Sequence, residues 1–427
     1  MSESSSLAGT VELRAIARAA KESGQIALDT EFMGEGRYRT LLCLVQLAIP
    51  AGPGGSERIE IVDPLAEDLD GSPLAAILAD PAVQVVVHAG RQDIALIRRR
   101  FGTDVRNVFD TQVAAGFAGM GAQSSYESLL AETLGVRVAK SASFTRWDTR
   151  PLSTEQLGYA REDVLHLLEL AAALERRLDS LGRLGWALEE CEPLERSSDE
   201  REPETIFARL PRVAGLSASA RPIARELVSW REQTAARQDR PVQSILSDAA
   251  LVEIAKRRPS SRSELERIRG LGTGGMRRRG EELLLAVRRG SEQPLDPPSR
   301  TPRPPASKPE DAPLVSLAEA LLRARALEAG LAYELLATRA DLQAIIAALR
   351  AGGGPAEDTA ADRSTVPTAD HEADVRTLRG WRRELVGEEL LELLDGRLSL
   401  SIRERRIEIV TGCDCRLRTE AGTSRSR

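Results

Sequence analysis

The run Gln25-Ile26-Ala27-Leu28-Asp29-Thr30-Glu31-Phe32 constrains this chain more than any other stretch, because an apolar, strand-forming segment ends there in two carboxylates one residue apart. Side chains alternate along a strand, so Asp29 and Glu31 share one face with Cα atoms about 6.6 Å apart at about 3.3 Å per residue. Two hard acids at that spacing can both reach divalent cations lying about 4 Å apart. An acid pair at a strand end is also what a solvated edge looks like, so the pair acquires chemical meaning only through partners elsewhere in the chain.

The chain around it reads as an α/β domain. A helix over residues 7–23 carries Leu7, Val11, Leu13 and Ile16 among charged residues, and Gly24 closes it. Strands follow at 25–32, 41–49 and 58–62, with a turn at 50–55 between the last two. After a short helix at 71–78, the valine-rich strand 83–87 runs into His88-Ala89-Gly90-Arg91-Gln92-Asp93, which opens a helix over 93–100. Asp93 falls in that helix's first turn, where the dipole favours a negative charge whatever else the residue does. A strand at 105–109 ends in Asp110-Thr111, and helices are expected at 111–118, 126–134 and, as one long element capped by Ser153, from 154 to about 181. Within the last, Tyr159 and Asp163 are four apart and so share a helical face.

Beyond the α/β domain, residues 192–205 are charged, contain Pro193 and Pro203, and read as a linker. A helical module at 213–290 follows, then a Pro-, Ser- and Thr-rich linker at 291–313 whose composition cannot form a packed core. A second helical module spans 314–400, interrupted by a loop-like insert at 351–369, and a tail of 401–427 contains a strand or extended arm at 402–410. The two linkers predict that both modules move relative to the first domain. Charge separates the parts: residues 218–290 hold 16 Lys or Arg against 9 Asp or Glu, so a chain of net charge −6 carries about −13 elsewhere. That asymmetry is a common mark of an enzyme with a separate basic docking module, and chance clustering in an Arg-rich chain would give the same charge.

Several alternatives are excluded or left bland. There is no signal-peptide pattern and no run approaching the roughly 20 apolar residues of a membrane helix, so a soluble, cytoplasmic protein with no membrane partner is expected. Cys43, Cys191, Cys413 and Cys415 are too scattered for a disulfide framework, and Cys413-Asp414-Cys415 lacks the second pair a zinc site needs. Residues Gly270 to Gly275 satisfy G-x-G-x-x-G but follow a helical segment, so no dinucleotide fold and no small-molecule cofactor is expected. That Gly-rich turn instead presents backbone N–H groups and Arg277, Arg278 and Arg279 to nucleic-acid phosphates, or is a plain interhelical turn.

A D-x-E at the end of an early strand, an H-x-x-x-x-D about 60 residues on, and a Y-x-x-x-D about 70 residues later form a pattern far more specific than its parts. Here these are Asp29 and Glu31, Asp93, then Tyr159 and Asp163, accompanied by Leu44-Val45-Gln46-Leu47, Val108-Phe109-Asp110-Thr111 and FTRWDTRPL at 144–152. The pattern resembles the tyrosine subclass of DEDD exonucleases, and the surrounding sequence resembles the ribonuclease D family. Residues 213–290 and, more loosely, 314–400 resemble the HRDC modules of that family. The resemblance departs at Thr40-Leu41, where the family often has Pro-Gln, which bears on loop contacts.

The resemblance implies a ribonuclease H-like mixed sheet flanked by helices, followed by two all-α HRDC-like modules. It implies a monomeric, metal-dependent 3′–5′ exoribonuclease that trims structured RNA such as tRNA precursors and releases 5′-mononucleotides. Asp29, Glu31, Asp93 and Asp163 would ligate two Mg²⁺ or Mn²⁺ ions, with Tyr159 orienting the attacking water. Mg²⁺ takes oxygen ligands at about 2.0–2.1 Å and retains several waters, so four carboxylates and a substrate phosphate suffice for two ions. Trp147 and Arg150 are candidate substrate contacts by stacking or to a phosphate, and packing is an equal reading for the tryptophan. Gln46 and Asp110 read as supporting residues, and His88 and His166 as structural. A DNA exonuclease with the same acids stays open, since carboxylates do not sense the 2′-hydroxyl. A non-catalytic RNA-binding scaffold is disfavoured because no carboxylate is missing.

Overall fold

The computed structural model describes residues 7–50, 57–138, 146–269, 271, 273–296, 308–352 and 375–411, with the backbone alone at 273–278, 351, 352 and 411. The turn expected at 50–55, the insert at 351–369, the middle of the second linker at 297–307 and Cys413/Cys415 fall largely or wholly outside these residues.

Helix α1 (Thr10–Ser23) buries Leu13, Ile16 and Ala20, and Gly24, at φ 74°, ends it in the left-handed conformation. Val11 is 72% exposed, because the stripe through 13, 16 and 20 leaves position 11 on the opposite side of the helix. The sheet contains β1 (Gln25–Met33), β2 (Leu41–Ile49), β3 (Arg58–Val62), β4 (Gln84–Val87) and β5 (Val108–Asp110), in the order β3-β2-β1-β4-β5. β1 pairs antiparallel with β2, and β2 with β3, while β4 runs parallel to both β1 and β5. β1 is therefore central, and the carboxyl ends of β1, β4 and β5 lie along one edge, where open α/β sheets place their ligands. β2 is apolar almost throughout because the sheet is covered on both faces; the exception is Gln46, with no exposed surface.

Helices α2 (Ser72–Leu78), α3 (Arg91–Phe101), α4 (Thr111–Phe117), α5 (Tyr126–Thr133), α6 (Thr154–Glu162), α7 (Leu167–Ser180) and α8 (Leu184–Cys191) follow or intersperse these strands. The single long helix expected from 154 to 181 is thus two. The chain breaks at His166, which takes φ 75°, and the Glu57 carboxylate accepts a hydrogen bond from its backbone N–H.

The stretch expected to be a linker at 192–205 is also built differently. It forms a 3₁₀ turn (Glu192–Arg196) and enters α9 (Pro203–Arg209), and its charges are spent on the first domain. Glu195 accepts the Asn107 N–H at 2.7 Å, Arg98 donates to the Ser197 carbonyl at 2.9 Å, and Arg99 pairs with Asp199.

The basic module comprises α10 (Arg221–Gln238), α11 (Val242–Ile245), α12 (Asp248–Arg257), α13 (Arg262–Glu266) and α14 (Thr273–Glu292) around Ile223, Leu227, Leu251, Ile254, Leu283 and Val287. α10 and α14 approach so closely that a Cβ at Gly290 would lie 2.5 Å from the Ile223 Cα.

By packing, the chain divides into two compact units: residues 1–111, 136–172 and 190–300, and residues 112–135, 173–189 and 301–427. The second unit contains α15 (Asp311–Ala329), α16 (Tyr333–Leu336) and α17 (Arg339–Gly352). It continues through helical turns from Gly380 to Leu394 into the hairpin β6 (Leu398–Arg403) and β7 (Arg406–Thr411). Trp381 stacks on Trp186 at 5.3 Å and meets the edge of Phe117 at 4.9 Å, so the helices after the Pro-rich stretch pack with α4 and α8 as part of one unit. Among the described residues no helix is long and apolar enough to cross a membrane.

Candidate active site

The predicted acids meet at the carboxyl edge of the sheet. Asp29 and Glu31 occupy alternate positions of β1, opposite Gln46 and Leu44 of β2, and a register shift follows immediately at Glu31/Phe32. Asp93 lies in the first turn of α3, 8% exposed. It is more than a helix-dipole residue, because Thr30, the residue between the two strand acids, donates its hydroxyl to the Asp93 carboxylate.

The β4–α3 turn that presents Asp93 is held by Asp110, whose carboxylate accepts the N–H groups of Ala89 at 3.0 Å and Gly90 at 2.9 Å. Ala89 sits at φ 53°, and a Cβ on Gly90 would come within 2.5 Å of Val87, so this tight turn needs both the clamp and the glycine. His88 bonds Thr111 Oγ1 at 2.9 Å, in keeping with a structural role.

α6 carries the remaining pair. Ser153 Oγ accepts the Gln156 N–H at 3.1 Å while the Gln156 side chain accepts the Ser153 N–H at 2.9 Å, a reciprocal cap that sets where the helix begins. The helix ends at Asp163, whose N–H reaches the Tyr159 carbonyl at 3.2 Å, so the i, i+4 relation survives although the helix does not continue.

Electrostatics tie the four acids together. Burial, then the charges of Asp93, Asp163 and Glu31, hold the Asp29 carboxyl well above the usual range, and only the Thr30 backbone N–H pulls it back. Glu31 is pushed up to about 8 by burial and then by Asp163 and Asp93. Asp93 is raised to about 6, chiefly by burial, against the bond from Thr30. Four mutually repelling carboxylates in a half-buried cleft are a donor set suited to hard divalent cations. Among the described residues, no three His, Cys, Asp or Glu side chains are drawn together closely enough to ligate one ion.

Arg150 is placed differently from a substrate contact, and Trp147 takes the packing reading held open for it. Trp147 is 3% exposed and packs with Leu44, Ile61 and Ala160, its ring 6.0 Å from that of Tyr159. Every donor group of Arg150 is engaged internally: Nε and Nη2 grip Asp63 at 2.6 and 2.7 Å, Nη2 also reaches the Cys43 carbonyl at 2.8 Å, and Nη1 reaches the Trp147 carbonyl at 2.7 Å. It clamps the segment ahead of α6 to β2 and β3. Arg279 is likewise engaged, donating to the Ile245 carbonyl at 3.0 Å and to Gln238 at 2.9 Å. The side chains of Arg277 and Arg278 lie outside the described residues. Thr30 was missed by sequence reasoning, since alternation points it away from its acidic neighbours; its burial beside the start of α3 is the signal.

A mixed five-stranded sheet with acids gathered at the ends of its parallel strands is the build of a 3′–5′ exonuclease. Residues 7–179 match the 3′-5′ exonuclease family and residues 221–287 match the HRDC domain. The chain is 35% identical to ribonuclease D of Granulibacter bethesdensis over 94% of its own length and 95% of that protein's, and 35% identical to ribonuclease D of Acidiphilium cryptum over 90% and 91%. It belongs to the ribonuclease D family and is a 3′–5′ exoribonuclease. Among solved structures it is similar to Escherichia coli RNase D, described as an exoribonuclease involved in structured RNA processing, with a TM-score of 0.74 and 28% identity over 91% of this chain and 98% of that one.

Proposed function

We propose that the chain trims the 3′ ends of structured RNA such as tRNA precursors, releasing 5′-mononucleotides by two-metal-ion hydrolysis with Asp29, Glu31, Asp93 and Asp163 as the ligands. The observation that carries the reading is that the charges of Asp93 and Asp163 add to burial in raising both Asp29 and Glu31, which supports one shared acidic site. Bound Mg²⁺ or Mn²⁺ would supply that charge, acidify water and neutralise the attacking and leaving oxygens.

The chain's own groups do the rest. Thr30 holds Asp93, the Asp110 clamp fixes the turn that presents it, and the Ser153 cap and Trp147 set the register of the helix bearing Tyr159. The Tyr159 hydroxyl serves to orient the attacking water by hydrogen bonding.

The test is release of labelled mononucleotide from 3′-end-labelled tRNA precursor with Mg²⁺ or Mn²⁺, beside a matched DNA strand. Asp29→Ala is expected to lower the rate by about a thousandfold, equivalent to about 4 kcal/mol. Absence of mononucleotide release, or an unchanged rate in the variant, would sink the proposal. Equal digestion of the DNA strand would remove RNA preference from it.

A further inference from the structure

Gln46 is an anomaly in an otherwise apolar strand. It has no exposed surface, and neither Nε2 nor Oε1 has a hydrogen-bond partner; among the described residues it alone leaves both ends of a buried amide unsatisfied. Burying an amide in this state disfavours the fold, and a methionine or leucine of similar volume would fill the same space without that penalty.

Its position indicates what the amide serves. Antiparallel partners direct their side chains to the same face about 5 Å apart. Gln46 is flanked by Asp29 on β1 and by Ile61 on β3, so it separates an acid of the cleft from the apolar packing of Ile61 with Leu44, Trp147 and Ala160. On the side of Ile61 lies its packed cluster with Leu44, Trp147 and Ala160, whereas on the other lies a carboxylate that receives a backbone N–H from Thr30.

We infer that Gln46 is a positioning residue for Asp29: in the metal-loaded enzyme its Nε2 donates to the inner carboxylate oxygen, which leaves the outer oxygen directed at the ion. The inference rests on the reading of Asp29 as a metal ligand. It accounts for the retained amide, since the Asp29 carboxyl is the polar group that the strand register places beside Gln46. A donor of this kind fixes the orientation of a ligand without touching the ion, and removal of such a partner typically weakens metal affinity by about 10–100-fold.

The experiment follows thermal unfolding of the full chain during Mn²⁺ titration, independently of turnover. Wild type, Gln46→Met, Gln46→Leu and Asp29→Asn are compared, the leucine variant serving if the methionine variant does not fold. Expected is a melting temperature in chelator that is unchanged or higher for the Gln46 variants, with the Mn²⁺ midpoint moved about 10–100-fold upward. A lower melting temperature in chelator with an unmoved Mn²⁺ midpoint would make the amide purely structural and overturn the inference. If Asp29→Asn leaves the wild-type Mn²⁺ response intact, the ligand reading itself fails and this inference falls with it. A normal loss in Asp29→Asn beside an unmoved midpoint in both Gln46 variants overturns the inference alone.

Discussion

At the scale of single residues, the burial that raises the acids works against the fold as pH rises. Glu31, raised to about 8, binds its proton more tightly in the folded chain than in the unfolded one, where a glutamate titrates near 4.3. The native state therefore holds more protons between those values, and the stability this contributes is fully present below about pH 4.3 and is lost as pH rises through 8. Glu31→Gln removes the liability. In chelator it is expected to raise the melting temperature at pH 8 and leave it nearly unchanged at pH 4.5, at roughly 2–4 °C for each kcal/mol in a domain of this size. Scanning calorimetry at the two pH values checks it, and equal shifts at both would remove titration as the cause. Activity is expected to vanish in the same variant, so stability and function move in opposite directions. That the acids gather in one place was legible in the sequence because order and interval single them out. Thr30 was not read for its part, since it contacts a partner that only the fold brings near, and Gln46 was read only as a supporting residue, since its unsatisfied amide is conspicuous only once its burial is known.

At the scale of elements, strands were easier to place than the ends of helices. The strands at 25–32, 41–49 and 58–62 lie within a residue of where periodicity places them, because alternation and apolar continuity are local properties. The long helix failed because its break depends on Glu57, remote in sequence, and local propensity carries no trace of it. Arg150 is similar: an arginine in an exposed-looking loop is in fact the bolt between β2, β3 and the segment leading to α6. Burial pushes Asp63 up, but the Arg150 bonds and the Leu65 N–H outweigh it and hold that carboxyl below its usual range. Arg150→Met would strand a largely buried carboxylate and two carbonyl groups, and a loss of about 3 kcal/mol is expected at pH 7. Because Asp63 then has no cation to favour its ionised form, denaturant melts at pH 7 and pH 4 should differ less in the variant than in wild type. A loss below about 1 kcal/mol would return Arg150 to the surface role its position suggested.

At the scale of the whole molecule, composition separated the parts of the chain but did not reveal how the first of them are joined. Pro193 and Pro203 suggested a free tether, yet the segment is packed, and the basic module is fastened to the loop that directly follows Glu31. Asp239, at the end of α10, accepts the Tyr38 N–H at 3.1 Å and pairs with Arg37 at 2.8 Å. Glu232, 5% exposed, takes the Tyr38 hydroxyl at 3.0 Å and Arg201 Nε at 2.7 Å. The bonds to Arg37 and Tyr38 are invisible to sequence patterns because about 200 residues separate their members. A nucleic-acid-binding module anchored this way steadies the loop between β1 and β2, and with it the strand end that bears the acids. Replacing both anchors, in Glu232→Gln/Asp239→Asn, weakens the charge-assisted bonds while leaving the module's own core untouched. The expected outcome is faster amide exchange across residues 34–40 with unchanged protection in α12, together with slower turnover on short oligomers that do not reach the module. Unchanged exchange at 34–40 would mean that the loop holds its shape without the module, and the two domains would then be neighbours in the chain with no mechanical link between docking and catalysis.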